Sequence, residues 1–438
     1  MNSNKRLVEN LPDINRDIDR KDTFFADFHV HSRYSMATSQ RMDVEHLFVA
    51  AQLKGLRVVG TGDITHPGWM RDLRRKLVPA EPGLFAIHPD VAASIDTTVP
   101  ERCRNPVRFL LTAEISCIYR QDGRVRKGHH LVLMPDMASA ERLSKRLERI
   151  GNLQADGRPI LGISAYRLLE MVLETSERAF LIPAHIWTPW FSVLGSKSGF
   201  HSIEACFGDL SEQVFALETG LSSDPAMNRT VSALDRFCLV SNSDAHSPEH
   251  LGREANVFCG ECSFEDMRKA LDGTTPRNFL GTVEWYPQEG KYHYDGHAHC
   301  RFRCHPDETR QIDGVCPNCG KPLTIGVLNR CRTLSDRPEP AGLDRMVWYS
   351  VPLIEVLAQL IGKSGRTKAV QRIYTDMLTA LGPELDILHW LPLKAIERVH
   401  PLLAEAIGHM RMGNVTVDPG FDGNYGSVRV WPKIDIRK

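Results

Sequence analysis

Asp27-Phe28-His29-Val30-His31-Ser32-Arg33-Tyr34-Ser35 closes an apolar run that begins at Phe24, and it carries two histidines two residues apart. On a β-strand such residues share a face, so both imidazoles project together from the strand's end. That geometry suits one metal ion. Further strand-like runs are expected at 56–61, 107–112, 131–134, 180–183, 214–217 and 237–241, separated by helix-like stretches such as 43–54, 138–150 and 165–175. Strand and helix alternating at this rhythm predict an α/β fold with a parallel sheet, closed or nearly closed into a barrel. An open doubly wound sheet is the alternative, but no G-x-G-x-x-G turn supports a dinucleotide site.

The polar residues fall at the strand ends. His29 and His31 end the first run, Asp63 ends the second with His66 just beyond, Glu114 ends the third and His130 opens the fourth. His185 follows F-L-I-P-A, Glu218 follows V-F-A-L, and Asp244 and His246 follow F-C-L-V-S-N-S. In parallel α/β folds the carboxyl ends of strands converge on one face, where sites are built. Taken singly, each has an ordinary reading: an aspartate after a strand caps a helix, and a lone histidine is a hydrogen-bonded core residue. Capping does not account for the series, because histidine is not a favoured cap. Imidazole with carboxylate suits zinc, manganese or iron, and the donors outnumber what one four-coordinate ion needs. Two or three divalent ions sharing Glu114 as a bridge are therefore expected. Such clusters supply hydroxide and clamp phosphate oxygens, so the expected reaction class is phosphoester hydrolysis.

Composition limits the alternatives. The 438 residues carry 54 basic and 54 acidic side chains, so no global field draws the chain to nucleic acid or an anionic membrane, and any such contact is local. No apolar run approaches a membrane span, and a cytoplasmic protein is expected. Eleven cysteines in a reducing compartment favour metal over disulfide where they cluster. Cys300, Cys304, Cys316 and Cys319, spaced C-x3-C and C-P-x-C-G-K, look like a structural zinc ribbon, with His297, His299 and His305 close enough to replace one thiolate. Cys259 and Cys262 form a second C-x2-C without a partner pair, read as incidental. Between Glu355 and Asp376 there is no acid, and Lys363, Arg366, Lys368 and Arg372 form a basic run expected to contact a phosphate backbone. The division expected is a loose lead-in over 1–22, a phosphoesterase unit over 23–285, a zinc ribbon over 286–335 and a mainly helical DNA-binding region over 336–438.

The H-x-H, the T-G-D-I-T-H segment, T-A-E, the histidine before L-V-L-M, P-A-H and S-D-A-H together resemble the polymerase and histidinol phosphatase (PHP) superfamily. The resemblance implies a distorted (βα)7 barrel with up to three metal ions (zinc, manganese or magnesium). It implies one ion on His29, His31, Glu114 and Asp244, a second on Glu114, His130 and His185, and a third on His66 and His246. Asp63 serves in place of, or beside, His66, and Glu218 is either a base or a structural carboxylate, completing the catalytic set His29, His31, Asp63, Glu114, Glu218 and Asp244. Of the adjacent His129 and His130 only one can face the site, and the family pattern favours His130. Met36 and Ala37 depart from the pattern, standing where many members carry a further histidine or aspartate.

Together with K-Y-H-Y-D-G-H and C-P-N-C-G-K-P-L-T-I-G-V-L, these blocks resemble the endonuclease Q family over most of the chain. That resemblance implies nicking of DNA 5′ to uracil, hypoxanthine, xanthine and abasic sites, leaving a 3′-hydroxyl and a 5′-phosphate. A flipped base then needs an aromatic pocket or wedge, for which Tyr34, Trp69, Trp187 and Trp190 are candidates. The alternatives are a phosphatase or exonuclease of the same superfamily and a non-catalytic nucleic-acid-binding protein.

Overall fold

The computed structural model describes residues 22–95, 98–343 and 345–430, so the expected lead-in lies outside them up to residue 21. The fold is mixed α/β. Its eleven-stranded sheet runs Met346–Ser350, Phe279–Trp285, Ala255–Cys259, Thr23–Asp27, Leu56–Gly60, Arg108–Gln121, Phe85–Ile87, Leu77–Pro79, with Ile160–Leu161, and Arg124–Met134 followed by Phe180–Pro183, branching from Arg108–Gln121. Ala216–Glu218 and Cys238–Val240 form a separate parallel pair. Local signals place the elements. The helix Val44–Lys54, for example, starts where Asp43 accepts a hydrogen bond from His46 N and ends at Gly55, whose φ of 87° closes the last turn.

The expectation of a parallel sheet is corrected at its centre. Thr23–Asp27, Leu56–Gly60 and Arg108–Gln121 are parallel neighbours, but Arg124–Met134 folds back antiparallel on Arg108–Gln121, and Phe180–Pro183 is antiparallel to Arg124–Met134. The cause is the two-residue turn Asp122-Gly123, both at positive φ (50° and 72°), which matches the twist of a tight hairpin. Its flanks, R-Q before the turn and R-V-R-K after it, are too polar to register as strand by hydrophobicity. His129 and His130 consequently lie inside a long strand.

The segment beyond residue 336 first adds Met346–Ser350 to the sheet, parallel to Phe279–Trp285. It then packs the helices Leu353–Ile361, Lys368–Leu381 and Pro401–Arg411 around a core that includes Val356, Leu357, Val370, Leu378, Leu403 and Ile407. A small cluster of Cys304, Cys316 and Leu323 underlies the cysteine-rich segment. Among the described residues no helix is long and apolar enough to cross a membrane.

One buried ion pair ties the helical unit to the sheet unit: Lys54 Nζ donates to Glu384 Oε2 at 2.7 Å, and Glu384 also accepts from Tyr374 Oη at 2.7 Å and Leu353 N at 3.1 Å. Removing one partner of a buried pair leaves an uncompensated charge. Lys54→Ala is expected to lower stability by about 3–5 kcal/mol in denaturant unfolding, and Lys54→Met combined with Glu384→Gln to recover most of it.

Candidate metal centre

His29 and His31 leave the end of Thr23–Asp27 with the side chains of both buried, and each directs Nδ1 to a carboxylate behind it. His29 Nδ1 donates to Glu218 at 3.0 and 3.1 Å, and His31 Nδ1 lies 3.3 Å from Asp63 Oδ1. This leaves both Nε2 atoms facing forward. His31 Nε2 is 3.0 Å from Asp244 Oδ1 and 3.3 Å from Glu114 Oε2, and His29 Nε2 is 3.6 Å from each of Glu114 and Asp244. One ligand atom each from His29, His31, Glu114 and Asp244 lies within 4.8 Å of the others, as do those of Glu114, His129 and His185. Glu114 belongs to both groups, at His129 Nδ1 (2.6 Å) and His185 Nε2 (3.2 Å).

The donor set fits divalent cations. His29 Nε2 is fully buried with no hydrogen-bond partner among the described residues and faces Glu114 and Asp244, each at 3.6 Å. Burial opposes charge on His29 and His31, but Glu218, Glu114 and Asp244 around the first, and Asp244, Asp63 and Glu114 around the second, hold both well above the ordinary histidine range. Burial likewise pushes Glu114 and Asp244 up, and the histidines outweigh it, so both carboxyls lie below their usual range. On His129 burial prevails over Glu114 and brings the imidazole down to about 4, a neutral donor. The backbone is held under strain here: Asp63, His185 and Asp244 sit at φ 51°, 29° and 46°.

The second group uses His129 where His130 was expected. In the hairpin register His129 faces Ser116 and His130 faces Ile115. Glu114 is two residues from Ser116, so it shares the face of His129. His130 points the other way, edge-on to Phe207, with both ring nitrogens buried and without a hydrogen-bond partner among the described residues. His66 is likewise corrected. It stands in neither group and caps the helix Pro67–Lys76, accepting from Trp69 N at Nδ1 and lying 3.3 Å from Gln154 O at Nε2. His246 stands beside the first group, its ring 4.4 Å from that of His31 and its Nδ1 on Asp244 O. Asp63 and Glu218 were expected among the catalytic residues; they sit behind the histidines and orient them, Asp63 also accepting from Ser32 N, Ser32 Oγ and Ser35 Oγ.

In the cysteine-rich segment His297, Cys300, Cys316 and Cys319 come together. Cys304, expected in that set, turns into the small core with its thiol on Thr309 Oγ1 at 3.1 Å. The spacing held the signal, since His297-x2-Cys300 repeats Cys316-x2-Cys319. Of the aromatic candidates, Trp69 and Trp187 are fully buried with their indole N–H groups bonded to Thr61 O and Gly62 O and to Asn228 Oδ1, so neither offers a face to a nucleotide. Tyr34 is half-buried and stacks on His66, and Trp190 is 37% exposed beside Tyr292. Lys363, Arg366, Lys368 and Arg372 are exposed around the start of the helix Lys368–Leu381, without acidic partners among the described residues. Sequence reasoning missed Asn242, which accepts from Phe28 N and donates to Glu218, and Arg158, which reaches Glu114 Oε2 at 3.2 Å.

A mixed α/β enzyme with a histidine–carboxylate cluster at its strand ends is the class that fold and site define. Residues 352–414 match the family model of the MJ0043 C-terminal domain. The uncharacterized protein MJ0043 of Methanocaldococcus jannaschii is 32% identical over 256 residues, 56% of this chain, which thus spans 32% of that protein's length. The uncharacterized protein YqxK of Bacillus subtilis is 30% identical over 69% of this chain and 73% of its own. The crystal structure of the lesion-specific endonuclease PfuEndoQ from Pyrococcus furiosus superposes with a TM-score of 0.81 at 31% identity, over 95% of this chain and 97% of that one. Endonuclease Q in complex with a 27-mer duplex carrying an abasic lesion at its active site gives 0.81 at 30% identity, over 95% and 100%. The chain belongs to the endonuclease Q family of enzymes.

Two substitutions separate the adjacent histidines. His129→Ala is expected to lower metal content measured by elemental analysis, whereas His130→Leu, which removes two unbonded buried nitrogens, is expected to keep its metal and match or exceed wild-type stability. In the cysteine-rich segment, His297→Ala and Cys319→Ser are expected to lose zinc and Cys304→Ser to retain it.

Proposed function

We propose that this protein is a lesion-specific DNA endonuclease. It hydrolyses the phosphodiester 5′ to deaminated bases (uracil, hypoxanthine, xanthine) and abasic sites, leaving a 3′-hydroxyl and a 5′-phosphate. The observation that carries this reading is the His29–His31–Glu114–Asp244 group in a chain of the endonuclease Q family. A relative solved with a duplex carrying an abasic lesion at its active site supports duplex DNA as the substrate class. We read 23–285 as a distorted PHP barrel, 286–335 as a zinc ribbon holding one structural zinc, 336–438 as a helical DNA-binding region, and the cytoplasm as the location.

Two or three divalent ions held by His29, His31, Glu114, Asp244, His129 and His185 would activate water at neutral pH and neutralise charge gathering on the phosphate. The chain's own groups supply the rest. Glu218 and Asp63 fix the ring orientation of His29 and His31, and Thr188 Oγ1, 3.1 Å from His185 Nδ1, fixes that of His185. Lys363, Arg366, Lys368 and Arg372 hold the duplex through its phosphates. Tyr34 and Trp190, the candidates with exposed ring surface, stack on the extruded nucleotide or fill its place.

The test is a denaturing gel on end-labelled duplexes with one uracil, hypoxanthine, xanthine or abasic site, or none, with chelator or added manganese or magnesium. A single metal-dependent cut 5′ to the lesion, its 3′ end extendable by a polymerase, is the expected result. Laddering from the ends, or phosphate release alone, would move the protein to the exonuclease or phosphatase branch.

A further inference from the structure

We propose that Arg158 is a catalytic residue of this reaction, donating hydrogen bonds to the non-bridging oxygens of the scissile phosphate. The inference rests on the phosphodiesterase reading above and names the group that grips its substrate. Among the described residues Arg158 is the one arginine or lysine ion-paired to the cluster, with Nη1 3.2 Å from Glu114 Oε2 and a side chain 26% exposed. It therefore touches the carboxylate common to both metal groups while keeping an open edge.

The loop that carries it is built onto the H-x-H segment. Gly157 N donates to Tyr34 O at 2.9 Å, and Asp156 Oδ1 accepts from Met36 N and Arg158 N, each at 3.1 Å. A Cβ on Gly157 would lie 2.3 Å from Asp63 Oδ2 and 2.6 Å from Ser35 Oγ, so only glycine permits this approach. Gln154 O receives His66 Nε2 at 3.3 Å. These anchors hold an arginine at a fixed distance from the ligands without making it one.

A counter-ion for Glu114 alone does not require this device. Four imidazoles already surround that carboxylate at 2.6–3.6 Å. Divalent cations on Glu114 would draw that carboxylate's charge to themselves and leave the guanidinium short of an anion. The substrate supplies one, and the planar fork matches two phosphate oxygens. In the hydrolysis the water oxygen bonds to phosphorus and the P–O3′ bond breaks with its electron pair on O3′. That oxygen takes one proton, and the second is released as the new phosphate monoester ionises. Arg158 keeps its proton throughout and stabilises the charge on the phosphoryl oxygens.

Arg158→Ala and Arg158→Lys test this against wild type in single-turnover cleavage of a uracil duplex. The Ala variant is expected to lose about 100-fold or more in the rate at saturating enzyme, with partial recovery in Arg158→Lys and on adding free guanidinium ion. Metal content by elemental analysis and affinity for undamaged duplex are expected to stay within about twofold of wild type, since other phosphate contacts carry binding. Cleavage by Arg158→Ala at the wild-type rate overturns the assignment, and so does metal loss in proportion to activity, which would place the residue behind Glu114. A wild-type protein that does not cut the uracil duplex overturns the phosphodiesterase reading itself, and the arginine's role with it.

Discussion

Glu114 is a buried carboxylate with four imidazoles and a guanidinium within 3.6 Å. A charge removed from water at that depth is tolerable only when it is compensated on every side. Much of the surrounding structure provides that compensation. His29 is turned toward Glu114 by Glu218, which also accepts from His185 N at 2.8 Å and Asn242 Nδ2 at 2.8 Å. Asn242 receives Phe28 N, and Asn256 donates to Asn242, so a chain of buried amides runs from the sheet to the site. Asp27, pushed up to about 6 by burial, accepts from Ser243 N and Gly252 N and so fixes both ends of the loop carrying Asp244 and His246.

The region after residue 286 is coupled to the same place. Arg330, on the helix Val327–Leu334, donates to Leu194 O and Phe200 O, and Ser196 Oγ donates to Ile325 O. Both contacts hold the loop that follows His185. In that loop Phe191, at φ 60°, covers His129 with ring centroids 4.7 Å apart, and its carbonyl accepts from His129 N. The segment that follows the cysteine-rich stretch is thus joined to the Glu114–His129–His185 group through side-chain-to-carbonyl bonds from Arg330 and Ser196 and one main-chain bond, His129 N to Phe191 O.

Much of the site was legible in the chain. His29, His31, Glu114, His185 and Asp244 were readable because each follows or ends an apolar run, and α/β folds bring such ends together. The hairpin was hidden by polar flanks, though Asp122-Gly123 was a turn signal in plain view. A two-residue turn pairs residue 121 with 124; counting back along both strands sets Leu131 opposite Glu114, and one step of two from there reaches His129. The family pattern favours His130, and this parity favours His129.

By itself the sequence determined the residue types that meet, the α/β character and the two ligand-rich segments, because these depend on local periodicity and spacing. The tertiary structure decided which of two adjacent histidines faces the carboxylate, that His297 displaces Cys304, that His66 is a cap, and that Trp69 and Trp187 are core. Each of these depends on what lies across a strand register or a packed loop. Such contacts range from three positions apart, as His66 with Trp69, to 88 apart, as His66 with Gln154; local spacing narrows the options, and packing across the fold selects among them.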